Sequence, residues 1–241
     1  MPYPYTLFLH SLLIILSLVS LLYLYLYRGN FPKLSPLKGY FLWFAFFILY
    51  NVAHIFAALL LQKFPIWSGI GYILALFFAA IATWHAFRVG LYFFGVTGKK
   101  YATLSWLYII GVMSALSLHI LFFEIPQPAN ENWIFWYSNR PIAFTYIFFM
   151  FVTGWTFAFG IMKSLSTLPG VILKLRALFL AFPALILPLA AYFYFAPTSV
   201  RDIKFAMAIN IFALLSFILG NVVLGIVQGK HSENDMKNSK V

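Results

Sequence analysis

The 241-residue chain is 63% hydrophobic and 9% charged, with a mean hydropathy of +0.92, where soluble domains run at roughly 45–50% and about 25%. That excludes a soluble enzyme, a disordered chain and a coiled coil. A formal charge of +11 on so apolar a chain points to anionic lipid headgroups rather than nucleic acid, and the lack of cysteine removes disulfides, thiolate nucleophiles and iron–sulfur clusters.

In chain order, seven stretches reach the roughly 20 apolar residues that a spanning helix needs. They run from Tyr5 to Tyr27, Tyr40 to Leu61, Ile66 to Phe94, Tyr101 to Phe123, Pro141 to Met162, Val171 to Phe195 and Ile203 to Val227. No Lys or Arg precedes the first run and no small-residue cleavage site ends it, so it is expected to remain in the mature protein. Residues 1–228 therefore read as a single all-α, polytopic membrane domain, a bundle of seven transmembrane helices, followed by a short polar tail over 229–241. The longest break between spans, Glu124 to Arg140, carries Trp133, Phe135, Trp136 and Tyr137, and is expected to lie along the outer interface with its rings at headgroup depth.

Cations near the span ends set the orientation. Arg28, Lys33, Lys38, Arg88, Lys99, Lys100, Lys163, Lys174, Arg176, Lys230, Lys237 and Lys240 fall on one face, 12 of the 16, and only Lys63, Arg140, Arg201 and Lys204 on the other. This predicts the N-terminus outside and the C-terminus in the cytoplasm of a cell membrane.

Span 3 places Ala75, Ala79, Ala82, Ala86 and Gly90 along one helical face, a stripe that lets another backbone approach closely. Ser216 with Gly220, and Gly225 with Gly229, are small-residue pairs in span 7 suited to contact within the bundle or to a dimer face. Pro183 and Pro188 each remove a backbone donor inside span 6, as a structural kink or as a place to store two conformations.

Chemistry is confined to histidines. His10, His54, His85 and His119 lie inside spans, where ionisable groups are costly. The faces Thr6, His10, Ser17, Ser20, then Asn51, His54, Ala58, Gln62, then Ser105, Tyr108, Gly111, Ala115, His119 should all point into the bundle. His54 and His119 fall at similar depth in the outer half, so a haem or metal, if bound, would be held by His54, His119 and His10. The alternative is that each imidazole hydrogen-bonds a neighbouring helix. His85 lies in the inner half, where Trp84 and Arg88, four residues apart, suit a cation–π contact. The acidic residues Glu124, Glu131, Asp202, Glu233 and Asp235 all lie outside the spans, which argues against carboxylate proton pumps and magnesium-dependent transferases.

The layout resembles the seven-helix sensor regions at the N-termini of prokaryotic histidine kinases. The likeness rests on the order of spans, on LYNVAHIFAALL followed by LALFFAAIATWHAFRVGLYFF, and on LKLRALFLAFPALILPLAAYFY after a basic turn. It implies a receptor-like bundle that senses a ligand or membrane state and passes movement inward; with no kinase domain after Gln228, it would act through a protein partner on the basic cytoplasmic face. The His54 and His119 pair is also similar to the haem pairing of b561-type cytochromes, which implies haem b and electron transfer, although span 5 offers no partner for His85. The expected function is thus a receptor-like or complex-associated membrane module without a catalytic site, its pocket in the outer half lined by His10, Asn51, His54, Tyr108 and His119. A b-type cytochrome and a small-molecule transporter stand as alternatives.

Overall fold

Apolar runs of bilayer length satisfy their own backbone donors and acceptors only as helices, and the computed structural model is all-helical apart from one two-stranded hairpin. It describes residues 3–26, 36–136, 139–168 and 170–220. The helices are α1 (Pro4–Leu26), α2 (Leu37–Leu60), α3 (Pro65–Phe93), α4 (Gly98–Leu121), α5 (Arg140–Ser164), α6 (Val171–Phe195) and α7 (Val200–Ile218). The first six are long and apolar enough to cross a membrane. α7 opens on Arg201, Asp202 and Lys204, which leaves its described part short of an uninterrupted apolar span. The polar tail, the Gly225 and Gly229 pair, Tyr137, Arg28 and Lys33 lie outside the described residues.

Local chemistry sets the helix ends. Pro65 and Pro141 occupy the first turns of α3 and α5, where a missing N–H costs nothing. α7 starts on a capping box: Ser199 Oγ accepts from the Asp202 N–H, and Asp202 Oδ2 accepts from the Ser199 N–H at 3.0 Å. α3 ends in a Schellman turn, with Val96 N–H to Leu91 O at 3.1 Å and Gly95 N–H to Tyr92 O at 2.9 Å. Gly95 takes φ +75 there, a conformation that a side chain would oppose.

Packing closes a ring in the order α1, α2, α3, α5, α6, α7 and back to α1. α4 packs against α3 and α5, which also touch each other, so it stands outside that ring. The small-residue stripe of α3 serves two ends. At Gly90 a Cβ would stand 2.8 Å from Phe157 N, and at Gly160 one would stand 2.8 Å from Gly90 O, so α3 and α5 cross backbone to backbone. Ala79, Ala82 and Ala86 instead border a cavity. Gly220 meets Phe179 and the Arg176 carbonyl of α6, which makes the Ser216 and Gly220 pair a contact within the bundle.

Both prolines of α6 are buried within an unbroken helix. Pro188 deprives the Ala184 carbonyl of its helical donor, and that oxygen abuts Gly154 of α5, where no side chain intervenes.

The segment after α4 corrects an expectation. Rather than lying along the outer interface, it folds back as a hairpin of β1 (Gln127–Pro128) and β2 (Ile134–Phe135), with Gln127 opposite Phe135. The Asn130 side chain turns it, accepting from the N–H groups of Asn132 (2.9 Å) and Trp133 (3.0 Å). The start of α1 then ties it down: Tyr3 N–H donates to Glu131 O and Thr6 N–H to Asn132 O, both at 3.2 Å, and Ile134 N–H donates to Thr6 Oγ1 at 3.3 Å. Trp133, Ile134 and Trp136 are buried, because the helix ends beneath offer a ring-lined recess that removes more of their apolar area from water than an interfacial position would.

Candidate functional site

The recess under the hairpin is built from His10 of α1, Tyr50, Asn51 and His54 of α2, Tyr72 of α3, Tyr194 of α6 and Trp136. The expected inward faces are buried here: Thr6, His10, Ser17 and Ser20 on α1, and Asn51, His54 and Ala58 on α2, while Gln62 falls beyond the helix and is exposed. Ser17 and Ser20 bond back to the carbonyls of Leu13 and Leu16 on their own helix.

Hydrogen bonds assign the protons of the pair. Asn51 Nδ2 donates to Phe47 O at 2.7 Å, so its Oδ1, 2.8 Å from His10 Nδ1, is the acceptor. His10 therefore carries its proton on Nδ1, and its Nε2 accepts from Tyr194 O–H at 2.9 Å. His54 Nδ1 lies 3.1 Å from Tyr50 O and must donate, which leaves Nε2 a bare lone pair; that atom is buried without a hydrogen-bond partner among the described residues. The two imidazoles stack at 4.7 Å. Around His54 stand Tyr50 at 4.4 Å, Trp136 at 4.5 Å edge-on, Tyr194 at 5.6 Å and Tyr72 at 5.9 Å, and Tyr72 O–H donates to Trp136 O at 3.2 Å.

One imidazole is thus wired into two neighbouring helices and the other is held by packing. His10→Leu is expected to destabilise the protein by about 1–3 kcal/mol, because it leaves the buried Asn51 Oδ1 without its donor. His54→Leu, which conserves volume, should stay within about 1.5 kcal/mol. Chemical unfolding in detergent compares them; an equal loss from both would show that the hydrogen-bonded chain is not what distinguishes the pair.

His119 and Tyr108 lie elsewhere. Both are buried on the face of α4 that meets α3 and α5. His119 packs edge-on against Tyr146 of α5 at 5.8 Å, and Tyr146 O–H reaches across to Leu76 O of α3 at 2.7 Å. Tyr108 O–H and Thr153 Oγ1 share a 2.6 Å hydrogen bond, and Tyr108 stacks on Phe87 at 4.4 Å. The histidines of α2 and α4 therefore face different neighbours, with α3 packed on both helices. The ring centroids of Tyr50 and Trp136 stand within 4.5 Å of the His54 imidazole, and both nitrogens of His10 are hydrogen-bonded. Among the described residues no three metal-ligating side chains gather.

A cavity of about 140 Å³ opens on the bundle side of this cluster, between α2, α3, α5, α6 and α7. Its walls include Phe44 and Phe47, the alanines of the α3 stripe, Met150, Phe157, Pro183, Pro188, Leu214 and Phe217. Tyr50 and Tyr194 line it next to the histidines, and Asn210 and Thr153 add polar atoms. Asn210 Nδ2 donates to Ala206 O at 3.0 Å, so its Oδ1 is left to accept. Asn51 stands beside Tyr50 and Tyr108 behind Thr153, one layer out from the lining. Sequence reasoning missed Tyr194, Trp136 and Asn210. Only Asn210 carried a readable signal, as a lone amide inside an apolar helix.

At the opposite end of the bundle, Arg88 Cζ lies 5.0 Å over the Trp84 ring, the expected cation–π contact, and His85 packs between Trp84 (4.9 Å) and Phe46 (5.9 Å). Set against known proteins, the chain matches no family model, no curated protein and no solved structure.

Proposed function

We propose that the chain is a receptor-like integral membrane module without a catalytic site, which crosses a cell membrane seven times with its N-terminus outside and its C-terminus in the cytoplasm. Its ligand is a small apolar molecule taken from the bilayer into the cavity between α2, α3, α5, α6 and α7. The cavity carries this reading. Apolar cavities of about 150 Å³ stay dry and accept guests of benzene size, and the proline-bearing α6 forms one wall of this one. A helix with two missing backbone donors bends at lower cost than an intact one, so a guest that favours one bend shifts its population in proportion to its differential affinity. The apolar lining favours a ligand site over an aqueous path. The orientation rests on charge: Lys38, Arg88, Lys99, Lys100, Lys163, Lys174 and Arg176 share one end of the described bundle, against Lys63, Arg140, Arg201 and Lys204 at the other. Movement of α6 would then be read by a protein docked on the basic face.

The absence of cysteine makes the test clean. Spin labels introduced at Lys99→Cys and Lys174→Cys, both exposed, report the separation of the α4 and α6 ends by pulsed electron resonance. Phenol, a benzene-sized probe with one hydroxyl for Asn210, is expected to shift that distance, and Ala82→Phe, which fills the cavity, should abolish the response. An unchanged distance at saturating phenol would end the receptor reading.

A further inference from the structure

We infer that the corner formed by α2, α3 and α4 at the basic end binds the phosphate of an anionic phospholipid headgroup, with Arg88 as its principal ligand. This does not depend on the ligand cavity. The Arg88 guanidinium is held in place: Nε donates to Tyr101 O–H at 3.0 Å, and Cζ lies 5.0 Å over the Trp84 ring and 5.7 Å over the Tyr101 ring. Trp84 is fixed in turn by its Nε1, which donates to Ser105 Oγ at 2.9 Å and to Ser105 O at 3.1 Å. The two terminal nitrogens of the guanidinium are thereby presented as a rigid fork, the geometry that matches phosphate oxygens.

Nothing in the described protein neutralises this half-buried cation. Glu124, Glu131 and Asp202 are all at the hairpin end of the bundle. Further positive charge gathers around it instead. The first turn of α2 brings Lys38 to the same corner, since the adjoining Gly39 packs on Val89 and the His85 carbonyl. The first turn of α4 brings Lys99 and Lys100 beside Tyr101. α4 starts here with neither an acidic residue in its first turn nor a side-chain cap, so the positive end of its dipole adds to the field. Buried His85 lies one turn from Arg88 and leaves Nδ1 without a partner among the described residues. A fixed guanidinium between two aromatic rings, flanked by lysines, presents a site for an anion. At the end of a membrane bundle the abundant anion is a lipid phosphate.

The full-length protein in neutral detergent is titrated with dihexanoyl phosphatidylglycerol, with dihexanoyl phosphatidylcholine and with inorganic phosphate, and binding is read from the thermal unfolding midpoint. Phosphatidylglycerol is expected to raise the midpoint more than phosphatidylcholine, whose choline the lysines repel. Arg88→Gln should weaken the phosphatidylglycerol effect about tenfold, the loss of one charge-assisted bidentate contact, while Lys204→Gln at the opposite end leaves it intact. Tyr101→Phe, which keeps the charge but releases Nε, should weaken it severalfold and serves if Arg88→Gln does not fold. Competition by millimolar inorganic phosphate identifies the free ion as a second source of the same chemistry; no competition assigns the site to lipid. Equal effects of the two lipids, or phosphatidylglycerol binding unchanged in both Arg88→Gln and Tyr101→Phe, would overturn the proposal.

Discussion

Trp136→Ala is expected to cost about 3–5 kcal/mol, the range for removing a large buried aromatic side chain, although the residue lies outside every helix. Its ring is 1% exposed and sits edge-on to His54 at 4.5 Å and stacked on Tyr72 at 5.6 Å. Trp106→Ala, removing a ring that is 64% exposed, should stay within about 0.5 kcal/mol and controls for the loss of a tryptophan as such. A second readout separates plugging from packing. In the native protein both imidazoles are fully buried and should resist acylation by diethyl pyrocarbonate. With Trp136 removed, His54 should react first, because its Nε2 is a bare lone pair while both nitrogens of His10 are bonded. A folded Trp136→Ala protein in which His54 stays protected would show that the hairpin does not seal the recess.

Gly90→Val is expected to destabilise the bundle by about 3 kcal/mol, the upper part of the usual range for overpacking. A Cβ at Gly90 would stand 2.8 Å from Phe157 N and 2.9 Å from Phe157 Cα, and backbone cannot rotate aside. α3 and α5 would have to separate, which also lifts Gly160 from the Gly90 carbonyl and disturbs the wall of the cavity. Gly69→Ala is the informative comparison, because the atoms in its way belong to the ring of Phe123, which is 40% exposed and can swing out. Thermal unfolding in detergent should rank Gly90→Val far below Gly69→Ala. Equal midpoints would mean that the α3 and α5 crossing tolerates a wider spacing than its geometry indicates.

Much of this bundle is readable along single helices. The apolar run from Val171 to Phe195 coincides with α6, and the other helix bounds fall within three residues of the expected spans, except the end of α7 at Ile218, where the expected span runs on to Val227 beyond the described residues. Backbone polar groups that cannot be left unpaired in an apolar medium make run length a direct measure of helix length. Periodicity also picked the buried faces, because Thr6, His10, Asn51, His54, Tyr108 and His119 are the polar groups that most need partners away from lipid.

Partners across helices were a different matter. The sequence puts His54 and His119 at similar depth, yet one meets Trp136 and His10 and the other meets Tyr146, because lateral order around the bundle depends on which stripes interlock. The same limit hid the cavity. Ala79 and Gly90 belong to one stripe of α3, but Gly90 finds a glycine-bearing helix to close upon, and Ala79 faces the bulky, proline-bearing α6. The aromatic segment after α4 could not be assigned an inward path from composition, since tryptophan suits an interface and a ring-lined recess equally well.

The amino-acid sequence by itself determined that this is a bundle of apolar helices, where the first six begin and end, and which polar faces of α1, α2 and α4 turn inward, since all three follow from the demands of one chain's backbone and side chains on their medium. Only the tertiary structure decided that α4 stands outside the ring, that a hairpin tryptophan plugs the histidine pair, and that a cavity forms against the prolines of α6. Those outcomes depend on close contacts between residues distant in sequence, and packing at that range is settled by the fit of both surfaces at once.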